Sequence, residues 1–134
     1  MFTVEVRRTF SAIQGLPSPV RTSKGLPPLE LEQGFRVTMR IGFTFEPNQL
    51  GERGWFVDTD ALDQTIDLYS ARLTERAWTE SFSFRPTFEN VAHWLYEMLV
   101  NEVPQLLYVE LDNETIGVTT RYDNALPGLG IRSN

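Results

Sequence analysis

The sequence predicts an α+β domain: a four-stranded antiparallel sheet, with two helices between strands two and three that cover one face. Three observations support this prediction. Apolar and polar residues alternate in four separate segments, which is the period of a half-buried strand. Two other segments repeat apolar residues every three or four positions, as an amphipathic helix does. The length of 134 residues fits one domain better than two.

The first predicted strand occupies the N-terminal residues. Apolar side chains stand at every second position on one side, and the charged Arg8 is the exception in this pattern. The apolar members are Phe2, Val4, Val6 and Phe10. Segment 15–30 then holds prolines and glycines at a density that prevents regular pairing, so we expect a loop there.

The second predicted strand gives the clearest periodic signal of the chain. Its apolar side consists of Leu31, Phe35, Val37, Met39, Ile41, Phe43 and Phe45. Gln33 interrupts this side, and a polar side chain there needs either water at a frayed strand end or a binding partner. Two helices cannot cover so many apolar side chains, which predicts that copies of the chain associate.

Two helices are predicted between the second and third strands. Asp58 or Thr59 caps the first helix, and Thr87 caps the second. Residues 74–85 between them show no clean period. His93 lies off the apolar face, where we expect a surface position. The apolar faces comprise Leu62, Ile66, Tyr69 and Leu73 in the first helix, and Val91, Trp94, Leu95, Met98 and Leu99 in the second.

Two further strands are predicted near the C-terminus. An acidic segment, residues 112–114, separates them and predicts a turn. The sequence thus predicts one domain over residues 1–122 and a mobile tail over residues 123–134. The alternating residues are Leu107, Val109 and Leu111 in the third strand, and Ile116, Val118, Thr120 and Tyr122 in the fourth.

Composition excludes several classes of function. The net charge is −6, without a dense run of Lys and Arg, which argues against nucleic acid and anionic membranes as partners. No apolar run has the length of a membrane span, and the N-terminus lacks the pattern of a signal peptide, so we expect a cytoplasmic protein. The absence of cysteine and the single histidine exclude disulfides, thiolate sites, cysteine nucleophiles and zinc sites built from several histidines.

Five stretches at matching spacing resemble one family. They are residues 6–12, residues 34–37, residues 55–58 with Leu62, residues 86–92 with Trp94 and Leu95, and the pair Glu114 and Thr115. The chain resembles the 6-pyruvoyl-tetrahydropterin synthase / 6-carboxy-tetrahydropterin synthase family, which has the tunnelling fold, or T-fold. The resemblance implies a homohexamer, in which two trimers stack, the sheets join into a barrel around a tunnel, and the sites lie between neighbouring subunits.

The resemblance also implies zinc chemistry on a pterin, yet the residues for it are missing. The family's enzymes hold zinc on three histidines and move protons with a cysteine and an Asp-His pair from the neighbouring subunit. Glutamine is a poor zinc ligand and leucine is none, so we expect no metal, no cofactor and no catalytic residue of the parent reaction. In the order first histidine, cysteine, His-x-His pair and Asp-His pair, the matching positions hold Gln14, Pro27, Leu31 with Gln33, and Thr74 with Glu75.

The positions that anchor the pterin are retained. The family's glutamate after strand three, which accepts hydrogen bonds from the pterin's amino group and ring N–H, matches Glu114. The threonine and glutamate at the start of the second helix match Thr87 and Glu89. A carboxylate suits this role, because its two oxygens can face two parallel donors of a 2-amino-4-oxo ring. Gln14 and Gln33 could donate hydrogen bonds to the side chain of the ligand.

Each retained position also has a simpler interpretation. Glu114 could be a solvated acid in a turn, and Thr87 a plain helix cap. Glu89 could be a first-turn acid that the helix dipole favours. The resemblance favours the ligand-binding interpretation for these residues.

The sequence therefore predicts a zinc-free protein that binds a pterin-like small molecule and does not catalyse the parent reaction. Two alternatives stay open. The first is an enzyme with a different, metal-free reaction on a pterin or a purine-like substrate, in which a desolvated glutamate acts as base. The second is a hexameric scaffold or regulatory subunit that binds another protein.

Overall fold

The described elements of the chain have the predicted α+β arrangement. A computed structural model describes residues 1–16, 23–25, 34–49 and 59–123. The strands form one antiparallel sheet in the order β1-β2-β3-β4. The elements are β1 (Phe2–Ala12), β2 (Phe35–Phe45), a 3₁₀ turn (Pro47–Gln49), α1 (Thr59–Thr74), α2 (Trp78–Ser81), α3 (Phe88–Glu102), β3 (Leu106–Asn113) and β4 (Val118–Asp123).

One face of the sheet forms the core. β1 and β2 pair along their whole lengths, from Phe2 opposite Phe45 to Ala12 opposite Phe35. Leu95 of α3 lies fully buried in the same cluster of side chains. The described members of the predicted apolar side of β2 are all buried, which confirms the alternation: Phe35, Val37, Met39, Ile41, Phe43 and Phe45.

The charged exception in β1 has a partner on a helix. Arg8 donates from Nε to Asp67 Oδ1 at 2.7 Å, and its Nη2 lies 3.5 Å from Asp63 Oδ1. The hydrogen bond to Asp67 is the main reason that the pKa of Arg8 is raised. Both aspartates belong to α1, so Arg8 ties the edge strand to the helix layer and leaves the core apolar.

The helices differ from the prediction in two details. Residues 74–85 contain the short helix α2, whose Trp78 is fully buried and donates from Nε1 to the Leu73 carbonyl at 2.9 Å. Four residues are too few to show a helical period, so the pattern of apolar residues did not predict this element. In α3, Met98 is 40% exposed, whereas Ala92 and Tyr96 are buried, so the predicted apolar face was wrong at Met98.

The third strand also differs, because an irregularity shifts its register. The shift lies between Gly42 and Phe43 of β2 and places Leu106 opposite Phe43. Leu106 is therefore buried, while Leu107 is 38% exposed, against the prediction. β3 continues through Asn113 and β4 begins at Val118, so the turn covers residues 114–117 and includes Ile116, which was predicted in the fourth strand.

Several predictions lie outside the described residues. They concern Leu31 and Gln33, most of segment 15–30, residues 55–58 and the tail after Asp123. Among the helices that are described, none has the length and apolar character needed to cross a membrane.

The second face of the sheet is polar and charged. Arg40 of β2 lies near its centre and donates to Glu110 at 3.1 Å and to Asp112 at 3.3 Å, both on β3. Tyr108 donates its hydroxyl proton to Glu5 of β1 at 2.6 Å. The sheet thus separates an apolar core from a polar face, and the candidate site begins at one end of that polar face.

Candidate functional site

Glu114 stands where the pairing of β2 with β3 ends. Its backbone N–H donates to the Arg36 carbonyl at 2.9 Å, and the Arg36 N–H donates to Thr115 Oγ1 at 2.9 Å. The first bond continues the main-chain pairing one step past Asn113, the last residue of β3, and the second adds a contact from the side chain of Thr115. The main chain of Glu114 is thereby fixed against Arg36 at the start of β2.

The carboxylate of Glu114 has a partner on each oxygen. Arg36 donates from Nε to Oε1 at 3.0 Å, and the hydroxyl of Thr38 donates to Oε2. The two partners differ in exposure: Thr38 is 4% exposed, and the Arg36 side chain is 66% exposed. Oε2 is therefore held by the buried hydroxyl of Thr38, and Oε1 by the exposed side chain of Arg36.

These contacts lower the pKa of Glu114 below its ordinary value. The hydrogen bond from Thr38 is the largest cause. Partial loss of hydration acts in the opposite direction, and the hydrogen bond and charge of Arg36, with the charge of Arg40, lower the pKa further. At neutral pH the group is a carboxylate, which only accepts hydrogen bonds and has lone pairs for more than two donors.

Thr87 is the N-cap of α3, as predicted. Its Oγ1 accepts a hydrogen bond from the Asn90 N–H at 3.1 Å. The side chain of Asn90 in turn donates to the Arg85 carbonyl at 2.9 Å, which fixes the chain before the helix. Glu89 lies in the first turn and is exposed, where its charge is favourable next to the helix N-terminus. Contact of Thr87 or Glu89 with a ligand stays a prediction.

Gln14 joins the end of β1 to the start of α3. It is 9% exposed, and its Nε2 donates to the Pro86 carbonyl at 2.9 Å. Its own carbonyl accepts from the Thr79 N–H at 3.3 Å, and the Ile13 carbonyl accepts from Trp78 at 2.8 Å. Gln14 thus fixes Pro86, the residue before the N-cap Thr87.

The strand ends and the start of α3 meet at one end of the sheet. Ala12 pairs with Phe35, whose ring lies 6.0 Å from that of Phe88, the first residue of α3. Arg36, the next residue of β2, contacts Glu114. The fold therefore brings the β1 end, the first turn of α3 and the turn after β3 to the same end of the domain.

The described members of the predicted site lie at this end of the domain, but they are not all in contact with one another. In the part of the chain that the structure describes, no hydrogen bond joins Glu114 to Gln14, Thr87 or Glu89. Gln33 lies outside the described residues, so its role stays a prediction.

The donor set does not fit the zinc that the resemblance implies. His93 lies on α3, stacks on the Tyr122 ring at 4.5 Å and has its Nε2 3.7 Å from Glu97. Gln14 directs its amide N–H to a carbonyl. Across the described ranges, no group of three or more His, Cys, Asp or Glu residues is arranged to hold a metal ion. With one histidine and no cysteine, the sequence does not supply the three histidine ligands that the family's zinc requires.

Sequence reasoning missed Arg36 and Thr38 as partners of Glu114. Both stand on the polar side of β2, and alternation alone marks them as facing away from the core. The signal that finds them is the register of β2 against β3, which places Thr38 opposite Asp112 and so brings Glu114 beside Arg36. A sequence pattern does not give that register.

Comparisons with known proteins agree with this architecture. A sequence profile described as 6-pyruvoyl tetrahydropterin synthase matches residues 34–125. The structure of Caenorhabditis elegans 6-pyruvoyl tetrahydropterin synthase is similar, with a TM-score of 0.65 and 18% identity, over 92% of this chain and 96% of that one. An uncharacterized protein from Wolinella succinogenes has a TM-score of 0.53 and 14% identity, over 92% and 99% of the two chains. No curated protein matches the chain. At these identities the solved structures show the fold, and they confirm the predicted T-fold.

We predict that Glu114→Gln removes a pH-dependent part of the stability. Because folding lowers the pKa of Glu114, its ionised form stabilises the folded chain above the unfolded pKa, and this contribution is lost as pH falls through the folded pKa. Urea unfolding from about pH 7 to about pH 3 measures the difference between wild type and variant.

The expected difference is largest at neutral pH and disappears in acid. Glu80→Gln is the control, because Glu80 is an exposed glutamate of α2. A difference for Glu114→Gln that is constant across the pH range, or equal to that of the control, would contradict the ion pair and hydrogen bond described above.

Proposed function

The chain belongs to the 6-pyruvoyl tetrahydropterin synthase family, and on this basis we propose that it binds a pterin-like small molecule through Glu114. The observation that carries the proposal is the carboxylate of Glu114, a surface acceptor that its partners keep ionised. A pterin presents its amino group and a ring N–H side by side. The two can donate in parallel to one carboxylate, a charge-assisted pair that is stronger than neutral hydrogen bonds.

Arg36 is the partner that a ligand displaces. Its side chain is long and 66% exposed, and an exposed ion pair contributes little stability. Thr38 is buried on β2 and stays in contact with Oε2. A ring that binds Oε1 therefore replaces the exposed Arg36 side chain, while Thr38 keeps Oε2 in its orientation.

The first turn of α3 and the end of β1 supply the remaining contacts in this proposal. Thr87 accepts from Asn90, so its own hydroxyl proton is available to a ligand acceptor. Glu89 is exposed and offers a second acceptor. Gln14 and Gln33 would contact the side chain of the ligand.

We also propose that a neighbouring copy completes the site in a homohexamer of two stacked trimers. In the described sheet, β1 and β4 are edge strands. Phe2 and Val4 on the apolar side of β1 are 46% and 44% exposed. Exposed apolar edges favour pairing with another chain, and edge-to-edge pairing of β1 with β4 would join the sheets into a barrel.

The same chemistry argues that the protein does not catalyse the parent synthase reaction. That reaction depends on a metal as Lewis acid and on residues that carry protons at neutral pH. The positions that match the histidines hold Gln14, Leu31 and Gln33, and the sequence has no cysteine. What remains is the half of the site that recognises the ring.

We predict saturable binding of pterin to the purified protein, measured by calorimetry or by quenching of pterin fluorescence. Glu114→Gln is expected to weaken this binding by about thirtyfold or more, because an amide offers one acceptor and no charge to two donors. Glu80→Gln on α2 is the matched control and should leave affinity unchanged. Absence of binding, or binding that Glu114→Gln does not weaken, would refute the proposal.

We predict that a pterin triphosphate stays intact when incubated with the protein, with or without added zinc. The reason is the missing histidine and cysteine side chains. Mass spectrometry of the mixture follows the substrate, and metal analysis of the purified protein should find no stoichiometric zinc. Release of triphosphate above the background of buffer alone would show that a synthase reaction persists.

We predict that light scattering gives the mass of six copies. Val4→Lys should shift the protein towards smaller species, because it places a charge on the apolar side of the β1 edge. Thr3→Lys on the opposite side of the same strand is the control and should have a smaller effect. A monomer at all concentrations would contradict the interface part of the proposal.

A further inference from the structure

We infer that Thr38 is a positioning residue for the Glu114 anchor and that Thr9 supports it by donating a hydrogen bond to the Thr38 oxygen. This inference rests on the proposed function, because it states how the anchor is held for its ligand. Thr9 of β1 and Thr38 of β2 are directly opposite in the sheet register. Their hydroxyl oxygens lie 3.0 Å apart, and the Thr38 hydroxyl also contacts Glu114 Oε2.

The direction of these hydrogen bonds follows from the number of protons. A carboxylate has no proton to give, so the single hydroxyl proton of Thr38 points to Glu114. The Thr38 oxygen is then the acceptor towards Thr9, and Thr9 is the donor. The relay runs from Thr9 to Thr38 to Glu114, and each bond polarises the next in the same sense.

Thr38 is better suited than Arg36 to fix the carboxylate. It is 4% exposed, it lies on a strand that is paired on both sides, and its branched side chain has few rotamers. Arg36 is an exposed, flexible side chain. The plane of the carboxylate is therefore set from the buried side, and its second oxygen faces the incoming ring.

The charged groups around Thr38 leave its hydrogen bond to Glu114 in place. Asp112 of β3 is opposite Thr38 in the register and would be a competing acceptor. Asp112 accepts from Arg40 at 3.3 Å and from the Thr119 hydroxyl at 3.2 Å, whereas the Thr38 hydroxyl contacts Glu114. The remaining charges that act on Glu114 are those of Arg36 and Arg40, which favour the same ionised state.

The test replaces the hydroxyl without changing the shape of the side chain. Thr38→Val removes the donor, and Thr38→Ser keeps it. Thr44→Val is the matched control, because Thr44 lies on the same strand and its buried Oγ1 has no hydrogen-bond partner among the described residues. Two quantities are measured: the pKa of Glu114, by NMR of its side-chain carboxyl carbon in ligand-free protein, and the affinity for pterin as a function of pH.

We expect Thr38→Val to raise the pKa of Glu114 towards its ordinary value. Pterin binding should weaken by about tenfold at neutral pH, and the acid limb of its pH profile should move up. Thr9→Val should also raise the pKa of Glu114, but by less, because Thr9 donates to Thr38 and not to the carboxylate itself. Thr38→Ser should restore both quantities, and Thr44→Val should change neither.

Two results would overturn the inference, and a third would overturn the proposed function alone. If Thr38→Val leaves the pKa of Glu114 and the affinity at their wild-type values, Thr38 does not position the anchor. If Thr38→Ser and Thr44→Val lower affinity as much as Thr38→Val, the residue acts only through packing. If Thr38→Val raises the pKa but neither the wild type nor any variant binds pterin, the proposed function fails, whereas the contact by which Thr38 positions the Glu114 carboxylate is confirmed.

Discussion

The main-chain pairing of Arg36 with Glu114 is the constraint from which the candidate site follows. The Glu114 N–H and the Arg36 N–H each form a hydrogen bond of 2.9 Å across the end of β2 and β3. Because the Glu114 N–H donates to the Arg36 carbonyl and the Arg36 N–H donates to the Thr115 hydroxyl, the Glu114 side chain starts from a fixed point. Arg36 and Thr38 then lie within reach of its two oxygens, and the lowered pKa is a consequence of that placement.

In the proposed function, the residues that bind the ligand are distinct from the positions that match the family's catalytic groups. The contacts of Glu114 come from β2 and from the turn after β3, which the sheet holds together. Of the positions that match the family's zinc ligands, Gln14 follows β1, and Leu31 and Gln33 lie outside the described residues. The hydrogen bonds of the Glu114 carboxylate come from Arg36 and Thr38, and none comes from Gln14. In the proposal, the chain retains a surface that binds a flat heterocycle and lacks the groups that would transform it.

Local periodicity predicted much of the fold, and it failed where tertiary geometry decides. The alternation in β1 and β2, the apolar face of α1 and the Thr87 cap all follow from side-chain spacing along one segment. The prediction that Leu107 is buried was wrong, because an irregular register at Gly42 and Phe43 places Leu106 opposite Phe43. Resemblance and the helix start marked Glu114 and Thr87 as site residues, but the partners of Glu114 needed the pairing of two strands that are far apart in sequence.

A structure determined with pterin bound tests the central claim most directly. The account predicts that the amino group and ring N–H of the pterin donate to Glu114, that Thr38 keeps its contact with Oε2, and that Arg36 has moved away from Oε1. The neighbouring subunit should contact the same ligand. A pterin bound elsewhere, or a Glu114 that keeps its bond to Arg36 and faces open solvent in the presence of saturating pterin, would contradict it.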